Sequence, residues 1–361
     1  MAKRIVIEFN DEKINAKDGF IADFQKAIQS ANINFLIGSG CSVPSISALK
    51  GLENKIEKLR KENKSEEADK CLHDFICSFV EHYEMASFPD ENFTSVLENY
   101  KQFVEMLLQI LFERKSNILH KQTTVFTTNY DLFFELAFED FADSMTLFDG
   151  FKRLPSVNQY PIFSISEFFN TIFNTGNLYK YRVEVPSCNL IKLHGSLNWY
   201  KENGKIIESF KHIDDSKALK SSSKQEDIRK FNDLFSIILP QKDKFRETLL
   251  NQTYYDLLRI FSNELDKENT LLIVSGFSFA DEHLREIITR ALRNPTLKII
   301  IFCYAKDEVK SFNERFKQYN NVEIVYSLKD NIDLTKVCAI LKAILPSGKD
   351  RIENDEKIDK E

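Results

Sequence analysis

Cysteine pairs of the C-x-x-C type are missing from this sequence. Its six cysteines, at positions 41, 71, 77, 188, 303 and 338, are spread singly along the chain. That spacing excludes a zinc ribbon built on paired thiolates and suits small buried residues in a reducing compartment. A surplus of positive charge is missing too, since 49 Lys and Arg stand against 55 Asp and Glu, a formal net charge of −6. A domain that gripped nucleic acid directly would show a basic stripe, so any such contact would have to come through a partner. No apolar run approaches the ~18 residues needed to cross a bilayer. The opening Met1-Ala2-Lys3-Arg4-Ile5-Val6-Ile7-Glu8-Phe9-Asn10 has too short an apolar stretch for a secretion signal. The expectation is a cytoplasmic protein without membrane attachment.

What is present is apolar residue in quantity. At 43% of 361 positions, it suffices for one large core with a smaller satellite. Residues 33–37 form a short apolar run that ends in Gly38-Ser39-Gly40, which reads as a buried strand and a glycine turn leading into a helix. Residues 51–120 carry Leu, Phe, Lys and Glu at helical spacing and read as a helical insertion. A β-branched strand at 123–127 and a helix over 132–141 follow. The stretch 144–188 is irregular and aromatic and reads as a small module over the sheet. Residues 189–193 make another strand, and the Lys- and Ser-rich stretch 201–230 reads as a mobile loop or hairpin before a short strand at 236–240. From there strands at 270–275, 297–303 and 322–326 alternate with helices at 253–267, 281–293, 306–318 and 333–344. Such alternation predicts an α/β fold with a doubly wound parallel sheet over residues 1–345, and the charged segment 346–361 is expected to be disordered.

Polar clusters follow the apolar runs, at the carboxyl ends of the expected strands, where open α/β sheets bind ligands. Gly38-Ser39-Gly40-Cys41-Ser42 could hold a phosphate on free N–H groups at a helix start, or could simply be a tight turn between strand and helix. Cys41 reads as a packing residue within it. Asn129 and Asp131, in Phe126-Thr127-Thr128-Asn129-Tyr130-Asp131, serve either as a turn and helix cap or as ligand contacts. His194, in Lys192-Leu193-His194-Gly195-Ser196, is a structural histidine or a base, since an imidazole titrates near ~6.5 in water. The strand ending at Ser275-Gly276-Phe277-Ser278 leads to Asp281, with Asp281 or Ser278 as helix cap in the simpler reading. The alternative has Gly276 and Ser278 against the adenosine half of a dinucleotide.

Taken in order, these clusters resemble the sirtuin family. The glycine turn is similar to Gly-Ala-Gly-x-Ser, residues 127–131 to Thr-Gln-Asn-x-Asp, His194-Gly195 to the family's His-Gly, and Gly276-x-Ser278 to its late glycine and serine motif. The set 126–131, Lys192 to Trp199, Ile238-Leu239-Pro240 and Ser275 to Asp281 is more similar to the sirtuin-like NAD hydrolases of bacterial antiphage defence than to protein deacylases. The deacylases' Pro-Asp-Phe-Arg run is replaced by Val43-Pro44-Ser45-Ile46, their glutamine by Thr128, and their four zinc cysteines are absent.

The resemblance implies a Rossmann-like domain without a zinc ribbon or other metal. It implies NAD as substrate and hydrolysis of the nicotinamide–ribose bond to nicotinamide and ADP-ribose. In that assignment Asn129 orients water and a ribose hydroxyl and His194 is the base. Asp131 contacts the carboxamide or braces its pocket, and Gly38, Ser39, Gly40, Ser42, Thr128, Gly276 and Ser278 contact the dinucleotide. It also implies a gate, through homo-oligomerisation, a nucleotide signal or a partner such as a HerA-type ATPase. The competing expectation is a non-hydrolytic module that senses NAD or ADP-ribose and regulates such an ATPase. Deacylation or ADP-ribosyl transfer would need a second-substrate groove, for which no motif is present.

Overall fold

The computed structural model describes residues 1–10, 13–46, 52–85, 90–114, 118–153, 160–176, 182–202, 204–209, 224–237 and 252–345. The expected tail at 346–361, the Ile238-Leu239-Pro240 motif and much of the 201–230 stretch lie outside them.

The strands are β1 (Lys3–Asn10), β2 (Lys13–Ala16), β3 (Asn32–Ile37), β4 (Gln122–Thr127), β5 (Thr146–Phe148), β6 (Phe151–Lys152), β7 (Ile162–Phe163), β8 (Phe173–Thr175), β9 (Arg182–Glu184), β10 (Ser187–Lys192), β11 (Gly195–Glu202), β12 (Lys205–Glu208), β13 (Phe235–Ile237), β14 (Thr270–Ser275), β15 (Leu297–Phe302) and β16 (Val322–Ser327). Nine form one sheet in the order β2-β1-β16-β15-β14-β3-β4-β10-β5. All neighbours in it pair parallel except β1 with β2. This is the doubly wound α/β sheet that the alternation predicts, with its order reversing between β3 and β14.

The helices are α1 (Phe20–Ser30), α2 (Leu52–Lys61), α3 (Ser65–Met85), α4 (Glu91–Phe112), α5 (Phe133–Glu139), α6 (Gln225–Leu234), α7 (Gln252–Asp266), α8 (Glu282–Ala291), α9 (Glu308–Phe316) and α10 (Leu334–Ala343). Strand side chains alternate between faces, and both faces of this sheet are covered. Ile33, Phe35 and Ile37 belong to one buried cluster with residues of α1, α4, α5 and α10, while Leu36 belongs to the other with residues of α7, α8 and α9. Phe35 meets Phe103 of α4 edge-on at 5.1 Å on the first face, and Phe126 meets Phe261 of α7 at 4.8 Å on the second. Burial on both sides explains why the central strands read as unbroken apolar runs.

The described residues of the 51–120 stretch form three helices of two kinds. α2 and α3 pack on each other around Ile56 and Ala68. α4 instead lies on the sheet as the crossover between β3 and β4, with nine buried side chains and Asp90 capping its first turn through the Phe93 N–H. The module expected over 144–188 is divided. β5 joins the main sheet, β8 and β9 form a ribbon, and β6 and β7 join β11, β12 and β13 in a second, five-stranded sheet. The hairpin β11–β12 turns at Gly204, whose φ is +74°, and supplies the centre of that second sheet. β1 and β2 were not expected; Ile5 and Ile7 alternate into the core and extend the sheet beyond β16.

Candidate functional site

Parallel register brings four strand ends into one row. Ser275 pairs with Ile37, Ile37 with Thr127, and Thr127 with Lys192. The residues just beyond them, around Gly276, Gly38, Asn129 and His194, therefore line the carboxyl edge of the sheet at its switch point.

At the first two ends the backbones touch. The Gly38 N–H donates to Ser275 O and the Gly40 N–H to Gly276 O, both at 3.0 Å. A Cβ on Gly38 would fall 2.4 Å from Gly276 O, and one on Gly276, whose φ is +64°, would fall 2.6 Å from Cys41 N. Glycine is required here because two turns pack backbone against backbone. The chain then runs through a 3-10 turn, Ser39–Ser42, rather than an α-helix. Of the amides expected to be free at a helix start, those of Gly38 and Gly40 are bound to the neighbouring strand end and that of Cys41 to Gly38 O. Ser39, half-exposed, and Gly40, exposed, remain open to a ligand, as does Ser278, whose Oγ accepts the Ala280 N–H at 3.4 Å. Cys41 is buried against Ser275 Oγ, and burial pushes its thiol up to about 12, which leaves it uncharged near neutrality.

Asn129 is held differently. Its backbone N–H is taken by Thr127 Oγ1 at 3.1 Å, and its Nδ2 donates to Gly38 O at 3.3 Å and to Ser42 Oγ and Tyr100 OH at 3.1 Å each. A main-chain carbonyl can only accept, so Gly38 fixes the amide's orientation. Tyr100 OH and Ser42 Oγ are 2.8 Å apart, and Ser42 donates to Asp131 Oδ2 at 2.8 Å. The consistent direction is Asn129 to Tyr100 to Ser42 to Asp131, a chain in which each hydroxyl both accepts and donates. Asn129 Oδ1 is buried and accepts no hydrogen bond among the described residues. It is the group that a ligand would satisfy.

Asp131 has both carboxylate oxygens engaged, Oδ2 by Ser42 and Oδ1 by the Phe133 N–H at 3.4 Å. Burial raises its pKa against the opposing charge of Lys192. Both partners of the carboxylate oxygens belong to the protein itself. Ser42, expected at the dinucleotide, is 1% exposed and acts behind Asn129. Thr128 is half-buried, its N–H 3.4 Å from Ile37 O.

His194 Nε2 lies 2.9 Å from Asp281 Oδ2, with both side chains 8% exposed. Asp281 also caps α8, its Oδ1 accepting the Leu284 N–H at 3.0 Å. Burial disfavours its charge, but the hydrogen bond and charge of His194 outweigh that and hold it below the ordinary carboxylate range.

Lys192 ties the neighbouring loops together. Its ammonium, 2% exposed, donates to Asp131 O and to Ser196 Oγ at 2.8 Å, and pairs with Glu135 Oε1 at 2.6 Å. Burial raises Glu135, opposed by Lys192. Farther along β11, Asn198 donates to Glu208 Oε1 at 3.1 Å. Burial and then the neighbouring Asp149 push Glu208 up to about 7, against the attraction of Arg153.

The structure thus brings Gly38, Asn129, Asp131, His194 and Gly276 to one edge. Tyr100 was missed because it lies on a helix whose only visible signal is apolar spacing. Lys192 has no assigned role in the motif, although a lysine ending a buried strand is a signal in itself. For Asp281 the sequence offers a helix cap and the end of a motif, and the structure adds the contact with His194. Among the described residues no group of three or more His, Cys, Asp or Glu could hold a metal ion, and no helix is long and apolar enough to cross a membrane.

Comparison with known proteins gives three findings. The family model described as the SIR2-like domain matches residues 123–325. Among solved structures, a Sir2 point mutant with a p53 peptide and NAD is similar to this chain at 16% identity and a TM-score of 0.40, covering 89% of this chain and 96% of that one. No curated protein matches.

Proposed function

The chain belongs to the SIR2-like domain family, which in general binds NAD and cleaves it, and on that premise we propose that it hydrolyses NAD to nicotinamide and ADP-ribose. The observation that carries this reading is Asn129, a buried amide fixed by three partners with its oxygen left unfilled among the described residues. Breaking the bond between C1′ and the pyridinium nitrogen passes through an oxocarbenium-like centre, as in glycoside hydrolysis. The bond's electron pair leaves with nicotinamide, which becomes neutral. Water then forms the new bond to C1′ and loses a proton. Asn129 Oδ1 orients that water and a ribose hydroxyl, and His194 takes the proton. Positioning and base catalysis of this kind each contribute about two or more orders of magnitude.

Water is the acceptor in this reading because the sequence lacks the deacylases' zinc cysteines and Pro-Asp-Phe-Arg run. Unchecked NAD loss would kill the cell that makes the enzyme. The activity is therefore gated, by self-assembly or by a separate partner such as a HerA-type ATPase, and serves defence against phage. The support for that setting is the motif set Phe126 to Asp131, Lys192 to Trp199 and Ser275 to Asp281.

The test is NAD turnover by the purified chain over a range of protein concentrations, with nicotinamide and ADP-ribose resolved by chromatography. Asn129→Ala and His194→Ala should each lower turnover by about 10²–10⁴-fold while the protein still melts cooperatively. NAD binding without turnover at any concentration would favour either a missing activating partner or the sensor. Near-normal hydrolysis in either variant would remove that residue from the mechanism.

A further inference from the structure

We propose that Asp281 is a positioning residue that sets the tautomer of His194, so that Nδ1 and not Nε2 receives the proton. A carboxylate only accepts hydrogen bonds, so the 2.9 Å contact with Asp281 Oδ2 requires the hydrogen of the neutral imidazole to be on Nε2. Nδ1 then carries the lone pair. Asp281 is not free to turn away and release Nε2. Its other oxygen caps α8 through the Leu284 N–H at 3.0 Å, and rotating the carboxylate would break that cap. The two roles fix each other, because the helix start holds the carboxylate and the carboxylate holds the ring.

Both side chains are more than nine-tenths buried, so water does not compete for the pairing. The ring is also flanked by Tyr130, with centroids 6.3 Å apart. The catalytic half of the inference rests on the hydrolase reading, whereas the tautomer stands on the geometry alone. When water bonds to C1′, its proton goes to Nδ1, and the imidazolium so formed lies against an anion already in place. The product proton leaves to solvent as ADP-ribose departs.

The experiment uses the full chain labelled with ¹⁵N-histidine, and long-range ¹H–¹⁵N spectra at alkaline pH report which ring nitrogen carries hydrogen. The His194 signals are those lost in His194→Ala. The expected result is hydrogen on Nε2 in the wild type. In Asp281→Asn the amide oxygen can still cap α8 while its NH₂ faces the ring, so the hydrogen should move to Nδ1. Turnover should then fall about 10²–10⁴-fold in kcat, with KM for NAD within about twofold. Asp281→Ser retains a capping oxygen but is too short to hold the ring; it should show mixed tautomers and an intermediate kcat. A wild-type His194 with hydrogen on Nδ1, or with both tautomers averaged, overturns the proposal whatever the turnover. Wild-type kcat in both variants overturns the catalytic half. An Nε2 tautomer in a chain that never cleaves NAD would leave the pairing in place and count against the hydrolase reading alone.

Discussion

Gly38, Gly40 and Gly276 direct their backbone polar groups at one another's strands, whereas Asn129, one strand over, keeps a buried acceptor that no described residue fills. The two regions share a sheet edge and a level in the register, yet they are built on different principles. At the glycine junction the residue type is explained completely by how closely two turns approach. At Asn129 and His194, protein contacts explain the orientation of each side chain but leave Asn129 Oδ1 open. A glycine motif at a strand end is therefore weaker support for a ligand than a held amide with a free oxygen.

The comparison is most directly broken at Lys192, which supports the Asn129 side. Lys192→Met would leave Glu135 buried without its partner and should cost about 3–5 kcal/mol in denaturant unfolding. Adding Glu135→Leu should recover most of that loss, and a single-variant cost below about 1 kcal/mol would show that the loops do not depend on this ammonium. The glycine side is tested by Gly38→Ala, which forces a methyl group to within 2.4 Å of Gly276 O. It should destabilise by up to about 3 kcal/mol. Gly19→Ala, at φ +70° with nothing within 4 Å, should cost only about 1–2 kcal/mol for the left-handed backbone. Equal costs at the two positions would mean that the turns separate easily.

Glu208 sharpens the comparison through pH. Its folded pKa of about 7 lies above the ordinary carboxylate value, so the folded state binds the proton more tightly than the unfolded one. Stability from this group is therefore greatest at low pH, falls as pH rises from about 4.5 to about 7, and stays low above that. Glu208→Gln should match the wild type near pH 5 and exceed it at pH 8 by at most about 3 kcal/mol. A thermal-melting series in which the two differ equally at both pH values would contradict this. The smallest effect is expected from Tyr100→Phe, which removes one link of the chain from Asn129 to Asp131. It should cost about 1 kcal/mol and lower turnover about tenfold through a less firmly held amide.

Much of this arrangement can be read from the sequence where it is local. Short apolar runs ending in Gly38, Thr127, Lys192 and Ser275 mark buried strands, because a strand covered on both faces has no polar alternation to hide it. The polar residues after those runs mark the edge. Tyr100, by contrast, is indistinguishable in its helix from the apolar residues that line the core beside it. The pairing of His194 with Asp281 depends on the order of strands in the sheet, which spacing along the chain does not encode. The second sheet was obscured for the same reason, since β6 and β7 reach β11 to β13 across the strand β10 that lies between them in sequence.

The position of β3 and β14 side by side in the middle of the main sheet also orders events during synthesis. Asn129, His194 and most of their supports emerge from the ribosome well before the segment that carries Ser275, Gly276 and Asp281. Until that segment has been made, Gly38 and Gly40 lack the carbonyls that receive their amides and His194 lacks its carboxylate. Contacts so distant in sequence form late in folding. The nascent chain therefore carries both Asn129 and His194 while residues 195–280 are still being added, without being able to close the site.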